Sequence, residues 1–198
     1  MVLRAFAVAY NNYAKRNVML TGGLFGIFQK GATDGLVQAC EIRSMAEDDP
    51  RRHWDPRRTA LFAVFGFVYA SGPGGLIYNK LYPKLLPGRP FLTALIDNLT
   101  NTPFLYMPLY YGLAEIIKDV AKNELFTRSA SGMLNAAFTV WTTNFSEDIR
   151  MSCMFWIPAH SVNFFFFPVH LRMTVMGAIG FGWIAILSAF RGRSAVEE

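Results

Sequence analysis

Charge is scarce in this sequence. Asp, Glu, Lys and Arg make up 17% of its 198 residues, against about 25% in a typical soluble domain. With a mean hydropathy of +0.25, that deficit argues against an ordinary soluble domain. Disorder is excluded by the 53% of hydrophobic residues, which supply ample surface to bury. Acids are scarcer than bases, 14 against 19, for a net charge of +5. Such a balance can mark a nucleic-acid binder, but here the charges fall between long uncharged runs. A basic membrane protein fits that distribution, and nucleic acid is not an expected partner. Cysteine is nearly absent. Cys40 and Cys153 form no CxxC or zinc spacing and read as buried or interfacial thiols. Catalytic motifs are missing too: there is no GxSxG and no HExxH. The glycine-rich SGPGGLIYNKLYP segment, residues 71–83, lacks GxxxxGK[ST]. No enzyme, cofactor or metal site is expected.

A secretory leader is also lacking. The N-terminal MVLRAFAVAYNNYAKRN is basic and acid-free, without an apolar h-region or a small-residue cleavage site. Two readings stand for this arm, residues 1–17. It lies along a membrane surface with Phe6, Tyr10 and Tyr13 inward, or it is a first helix packed on a bundle.

What is present is a series of long uncharged runs: 59–79, 98–114, 129–146, 151–171 and 173–190. About 17 to 20 apolar residues cross the hydrocarbon core as a helix. Lipid requires backbone groups to pair internally, and the absence of period-2 alternation argues against a barrel. Residues 18–39 form a weaker candidate, interrupted by Lys30 and Asp34. Glycines 22 and 26, and 31 and 35, there form two separate pairs of small residues four apart, a spacing that lets helix backbones approach closely in lipid. The expected fold is therefore all-α: a polytopic helical membrane bundle with at least four membrane-associated helices, in one domain over 1–198. Residues 129–146 and 151–167 are expected as segments packed beside or partly inserted next to a four-span core, with Pro168 limiting continuation into the last helix. The glycine-rich segment reads as a bent span end with Tyr78 and Tyr82 near the interface.

Few residues could carry chemistry. Lys30, Asp34 and Gln38 are spaced one turn apart and share a helix face. An ionisable group at membrane depth is costly and faces protein or water. Either Asp34 and Gln38 line a polar pathway, or Lys30 and Asp34 form an internal pair that locks helices together. Asp97, at the start of DNLTNTP, caps a helix, meets a loop cation or joins that polar lining. Pro103 and Pro108 are expected to bend the helix that follows. In WIPAHSVNFFFFPVHLR, residues 156–172, His160 and Asn163 read as a polar lining or a satisfied internal network. Arg172 reads as a contact to a helix end or a lipid headgroup.

These pieces together resemble the Mpv17/PMP22 family of small organellar membrane proteins, from about Tyr10 to Ser188. Tyr10 and Tyr13 match its initial aromatic pair. TDGLVQ, with Asp34 and Gln38, resembles its GDxxxQ element, with Thr33 in place of Gly. Asp55 and Arg58 match a D-x-x-R connection. Gly66 and the Gly72-Pro73 pair match the next block, whose HxWY continuation is replaced here by Leu76, Tyr78 and Asn79. Asp97-Asn98 resembles DQ, with Pro103 in the matching place. Trp156, Asn163, Phe164, Pro168 and Arg172 match WPxxQxxNFxxVPxxxR, with Ile157 for the first Pro, His160 for Gln and Phe167 for Val. Trp183, Leu187 and Ser188 match a WxxxLS ending. The resemblance implies an organellar membrane, mitochondrial inner or peroxisomal, and channel-like or permeability-modulating behaviour with no defined solute. An accessory or structural subunit of a mitochondrial membrane complex is the competing expectation. Membrane lipids, a homo-oligomer or a larger complex are the expected partners.

Overall fold

The computed structural model describes residues 2–50, 52–122 and 127–194, with side chains at 2, 3, 6 and 184–194 left aside. The Phe6, Leu187, Ser188, Arg191 and Arg193 side chains and Arg51 thus lie outside the described residues. Everything described is helix, turn or loop, with no strand among the described residues, as the missing alternation predicts.

The chain forms two compact units, residues 1–81 with 168–198, and residues 82–167. In the first unit, α1 (Val2–Arg16) precedes α2 (Val18–Ser44), and α3 (Pro56–Ser71) packs back along α2. The start of α3 is written in the sequence. Asp55 caps it, its Oδ1 accepting from the Arg57 and Arg58 amides at 2.9 and 3.3 Å. Pro56 occupies the first turn, where a missing N–H costs nothing. Gly72 then breaks the helix, which restarts at Pro73 as α4 (Pro73–Leu76) and continues through a π-helical stretch, Ile77–Leu81. After Pro168 come a 3₁₀ turn, Val169–Leu171, and α9 (Arg172–Ser194).

Glycine sets how closely these helices approach. A Cβ on Gly26 would overlap the Gly66 carbonyl, and one on Gly66 would overlap that of Gly26. Gly22 faces the Ala70 carbonyl, and Gly177 of α9 lies under the Phe25 ring. Of the two glycine pairs read from sequence, Gly22 and Gly26 make the backbone contact. Gly31 has only ordinary contacts, the nearest 3.7 Å away at Ala63, and Gly35 rests against Trp54.

The arm is α1 packed on the first unit. Tyr10 Oη and Thr174 Oγ1 share a hydrogen bond of 2.6 Å, and His170 Nε2 lies 2.7 Å from Asn11 Oδ1. Tyr10 therefore points inward as expected, whereas Tyr13 is exposed. Tyr78 and Tyr82 depart from the interfacial placement, since both are buried. Cys40 is exposed rather than buried.

The second unit holds α5 (Tyr82–Leu85), α6 (Pro90–Ile96), a ten-residue π-helical stretch Asp97–Tyr106, α7 (Met107–Ala121) and α8 (Ala130–Phe166). Gly88, at φ 67°, makes the turn into α6. Pro103 would leave an α-helical ladder without a donor, and the wider π turns absorb that loss. Pro108 sits in the first turn of α7, where it is tolerated. The two late runs expected as separate segments form one helix. Ser129 caps it through Gly132 N, and it passes through Glu147, Asp148, Arg150 and Pro158 before stopping ahead of Pro168. The mid-helix acid is held from outside, because the Tyr111 hydroxyl donates to the Asp148 carboxylate.

The burial pattern is inverted relative to a water-soluble fold. The largest fully buried side chains are Asn98, Asn163, Asp97 and Pro103. Meanwhile Phe28, Phe104 and Met154 are 62%, 63% and 71% exposed. A soluble domain would place those groups the other way round. One helical run among the described residues, Pro56–Leu85, is long and apolar enough to cross a membrane by itself, at a mean hydropathy of 1.6. The expected span 173–190 runs past the residues whose side chains are described, and two other apolar stretches are diluted for identifiable reasons. Lys30 and Asp34 interrupt α2, and Asn135, Thr142, Thr143 and Asn144 lower the apolarity of α8.

Candidate functional site: two buried polar networks

Asp34 lies on the α2 face that packs against α3, and both its oxygens are engaged. Arg58 Nε donates to Oδ1 at 2.7 Å, while Thr59 Oγ1 and Gln38 Nε2 each donate to Oδ2 at 2.7 Å. Arg58 also reaches Glu41, Nη1 to Oε2 at 2.8 Å. Gln38 reads the backbone of the incoming chain. Its Oε1 accepts from Asp55 N at 2.7 Å, and its Nε2 lies 3.0 Å from Asp55 O. The effect is a clamp that fixes the end of α2 to the start of α3, with a buried carboxylate neutralised by a half-buried guanidinium.

The TDGLVQ and D-x-x-R pieces, read separately in sequence, thus meet in space. The sequence reading offered Lys30 as the cation for Asp34. It missed Arg58, although the cap at Asp55 already placed Arg58 on the first turn of α3. Lys30 is half-buried, and its stem lies over Gly66, where an added Cβ would come within 2.8 Å of Lys30 Cγ.

The second network belongs to the second unit. Asp97, wholly buried, accepts at Oδ1 from Tyr82 Oη and Asn101 Nδ2, both at 2.8 Å. His160 Nδ1 stands 2.8 Å from Asp97 Oδ2, a close electrostatic contact rather than an aligned hydrogen bond. The imidazole is boxed by aromatics, with centroids 5.2 Å from Trp156 and 5.8 Å from Phe164. Asn163 is fully buried one turn further along α8, and Asn98 Oδ1 accepts from Ser152 Oγ at 3.4 Å. Tyr82 was missed as a ligand of Asp97. Its spacing from the Gly-rich break gave no sign that the chain turns back there.

Of the residues singled out from sequence, Asp34 and Gln38 fall in the first network and Asp97 and His160 in the second. Arg172 begins α9, half-buried. Among the described residues, no group of three or more His, Cys, Asp or Glu could hold a metal ion.

A third cluster had no sequence forecast, although acids at 115 and 119, one turn apart, were its signal. Glu115 bonds Lys118 at 2.6 Å and Arg128 at 3.0 Å, and Arg128 also reaches Asp119 at 2.8 Å. Burial alone would raise the Glu115 carboxyl. Hydrogen bonds from Lys118 and Arg128 outweigh it and leave the group below the ordinary glutamate range. A carboxylate held low stabilises the fold above its unfolded pKa, and the benefit goes as pH falls through the folded value. Acidification from about pH 6 to about pH 3 should therefore lower the melting temperature in detergent, and Glu115→Gln should flatten that profile. Identical acid profiles for the two proteins would show that the cluster contributes nothing.

Comparison with known proteins follows this geometry. The Mpv17 / PMP22 family model matches residues 130–188, which cover α8 and most of α9. The mitochondrial inner membrane protein Mpv17 of Caenorhabditis briggsae is 21% identical over 75% of this chain and 76% of its own length. The PXMP2/4 family protein 4 of Dictyostelium discoideum is 25% identical over 79% and 77%. Protein SYM1 of Candida albicans is 22% identical over 90% and 93%. No solved structure matches. The family model on the last third and distant relatives that extend over most of the length agree with the quoted motifs in likening the chain to the Mpv17/PMP22 family.

Proposed function

We propose that this chain is a multi-pass, non-catalytic protein of the mitochondrial inner membrane that modulates permeability in a channel-like manner. The observation that carries the membrane reading is the inverted interior, with Asn98, Asn163 and Asp97 fully buried while phenylalanines face outward. In lipid this is the stable arrangement, because ionisable and amide groups find partners inside and apolar side chains meet acyl chains. On this reading membrane helices run near 18–39, 59–79, 98–114 and 173–190, with α8 crossing between the last two because the Val169–Leu171 turn and α9 pack on the Ile77–Leu81 stretch, and the 198 residues act as one membrane domain. The location is supported by the basic arm and by the Caenorhabditis briggsae relative, whose name places that protein in the inner membrane. A peroxisomal membrane is the alternative that the family leaves open.

Asp34 is the residue assigned to charge selection or gating, with Gln38 as its polar partner. In liposomes, Asp34→Asn should change the size or ion selectivity of a protein-dependent flux while Gln38 and Thr59 hold the helix pair together. Absence of flux under several solutes and voltages would reject the channel reading.

A second reading has its own observation. The carboxylate at the centre of each network is satisfied from within, Asp34 by Arg58, Gln38 and Thr59, and Asp97 by Tyr82 and Asn101. Such closure suits an accessory subunit whose polar groups hold helices while its aromatic faces meet lipid or partner proteins. Native mass analysis after mild extraction separates the two. A stoichiometric large complex favours the subunit, and a monomer or small homo-oligomer with selective flux favours the channel.

A further inference from the structure

The first half of α8 carries an outward polar stripe. Asn135, Thr139, Thr143, Ser146, Glu147 and Arg150 are spaced to share one side of the helix, and all are exposed. The other side of the same turns is inward, where Ala137 and Ser152 are buried and Asp148 accepts from Tyr111. Thr139 and Thr143 donate to carbonyls one turn back, at 2.9 Å each, so they tolerate lipid. Asn135, Glu147 and Arg150 have no such outlet. None of their side chains makes a hydrogen bond or ion pair among the described residues. Their depth follows from the helix packed beside them. Phe104, close to the centre of the uncharged run 98–114, meets Trp141 and Phe145 with ring centroids 6.4 and 6.2 Å away. Those turns of α8 therefore lie near mid-membrane on the membrane reading, on which this inference rests. Glu147 and Arg150 follow Phe145 by about 3 and 8 Å along the axis, inside a half-thickness of roughly 15 Å. An acid and a base at that depth face protein or water rather than acyl chains.

We propose that this stripe is the contact between two copies of the chain, related by a two-fold axis along the membrane normal, with Glu147 of each paired to Arg150 of the partner subunit. Copies inserted in one orientation run α8 in the same direction. Acid and base are three residues apart, about 4.5 Å along the axis. The contact that brings Glu147 to Arg150 of the partner subunit therefore also brings Arg150 to Glu147 of the partner subunit, as two-fold symmetry requires. A pair within one helix would still expose both charges to lipid. A protein of another sequence would need a matching acid and base of its own, whereas a second copy supplies them by symmetry. The Asn135 amide then finds the free lone pairs of threonine oxygens across the contact, and the exposed Leu134 and Phe138 beside the stripe meet lipid at its edge.

Charge exchange in the full chain, read by native mass analysis from mild detergent, provides the test. The wild-type protein should be a dimer. Glu147→Arg leaves only bases at the contact and Arg150→Glu only acids, so each should weaken self-association at least about tenfold. The double exchange, Glu147→Arg with Arg150→Glu, should restore the dimer. The two single variants, produced together under different tags, should pair with each other in preference to themselves. A monomeric wild type, single variants that dimerise as it does, or a double exchange as weak as the singles overturns the contact. A cross-link tests it without altering charge, should an exchanged variant fail to fold. Ser146→Cys, in a chain whose Cys40 and Cys153 are replaced by serine, should form a disulfide with its own counterpart under mild oxidant. No cross-link, or one to a different protein, overturns the proposal. Alkaline extraction of reconstituted vesicles separates the two ideas. Protein that stays in the bilayer as a monomer overturns the contact alone. Protein released from the bilayer overturns the membrane reading with it.

Discussion

Gly26→Val should destroy the packing of α2 on α3. The first carbon of the new side chain already overlaps the Gly66 carbonyl, and backbone cannot swing aside as a flexible side chain can. The helices must separate, which would pull Asp34 away from Arg58 and Thr59. The expected cost is about 3 kcal/mol, the upper end for overpacking, seen as aggregation or a large drop in melting temperature during detergent size exclusion. Gly31→Ala is the matched control. Its Cβ would meet Ala63 at 3.7 Å, an ordinary contact, and alanine suits a helix better than glycine. Equal behaviour of the two variants would show that the close approach contributes no stability.

Asp97→Ala should be nearly as damaging. It leaves the Tyr82 hydroxyl and the Asn101 amide of a buried network without their acceptor. Hydrogen bonds inside membrane proteins average only about 0.6 kcal/mol, so the lost bonds alone would cost little. The larger part is the desolvation of donors left unpaired, about 1–3 kcal/mol each. A total near 3 kcal/mol is expected, read as a fall in thermal or denaturant stability. Tyr82→Phe, which removes one donor together with its need, should cost only about 1 kcal/mol. His160→Gln, the residue that the resembling pattern carries there, should be tolerated, because a glutamine amide of similar reach can donate toward Asp97 where the imidazole makes only a close contact. A stable, monodisperse Asp97→Ala protein would mean that the network does not hold the second unit together.

Much of this architecture could be read without coordinates, and the parts that could not share a cause. Helix class follows from local composition. The start of α3 follows from Asp55 and Pro56, and the end of α8 from Pro168. The close approach at Gly22 and Gly26 follows from spacing on one helix, but its partner, Gly66, lies 40 residues on and carries no local mark. The same holds for Arg58 on Asp34 and Tyr82 on Asp97, where each contact joins segments whose relative placement depends on the whole fold. The fusion of 129–146 with 151–166 was hidden for another reason. Glu147, Asp148 and Arg150 look like a connection when charge alone marks boundaries, whereas α8 keeps its backbone ladder through them and hands Asp148 to Tyr111. The π-helical stretch at 97–106 left no sequence signal beyond Pro103.

The length of α8 has a consequence for the solvent around it. Its 37 residues rise about 55 Å, well beyond a hydrocarbon layer of roughly 30 Å. Membrane helices rarely lean by more than about 40°, and that lean is too small to hide the whole rod. On the membrane reading proposed above, one end of α8 therefore emerges into the headgroups or beyond. The fraction submerged depends on how thick the surrounding bilayer is, so acyl-chain length becomes a variable that the second unit feels as torque.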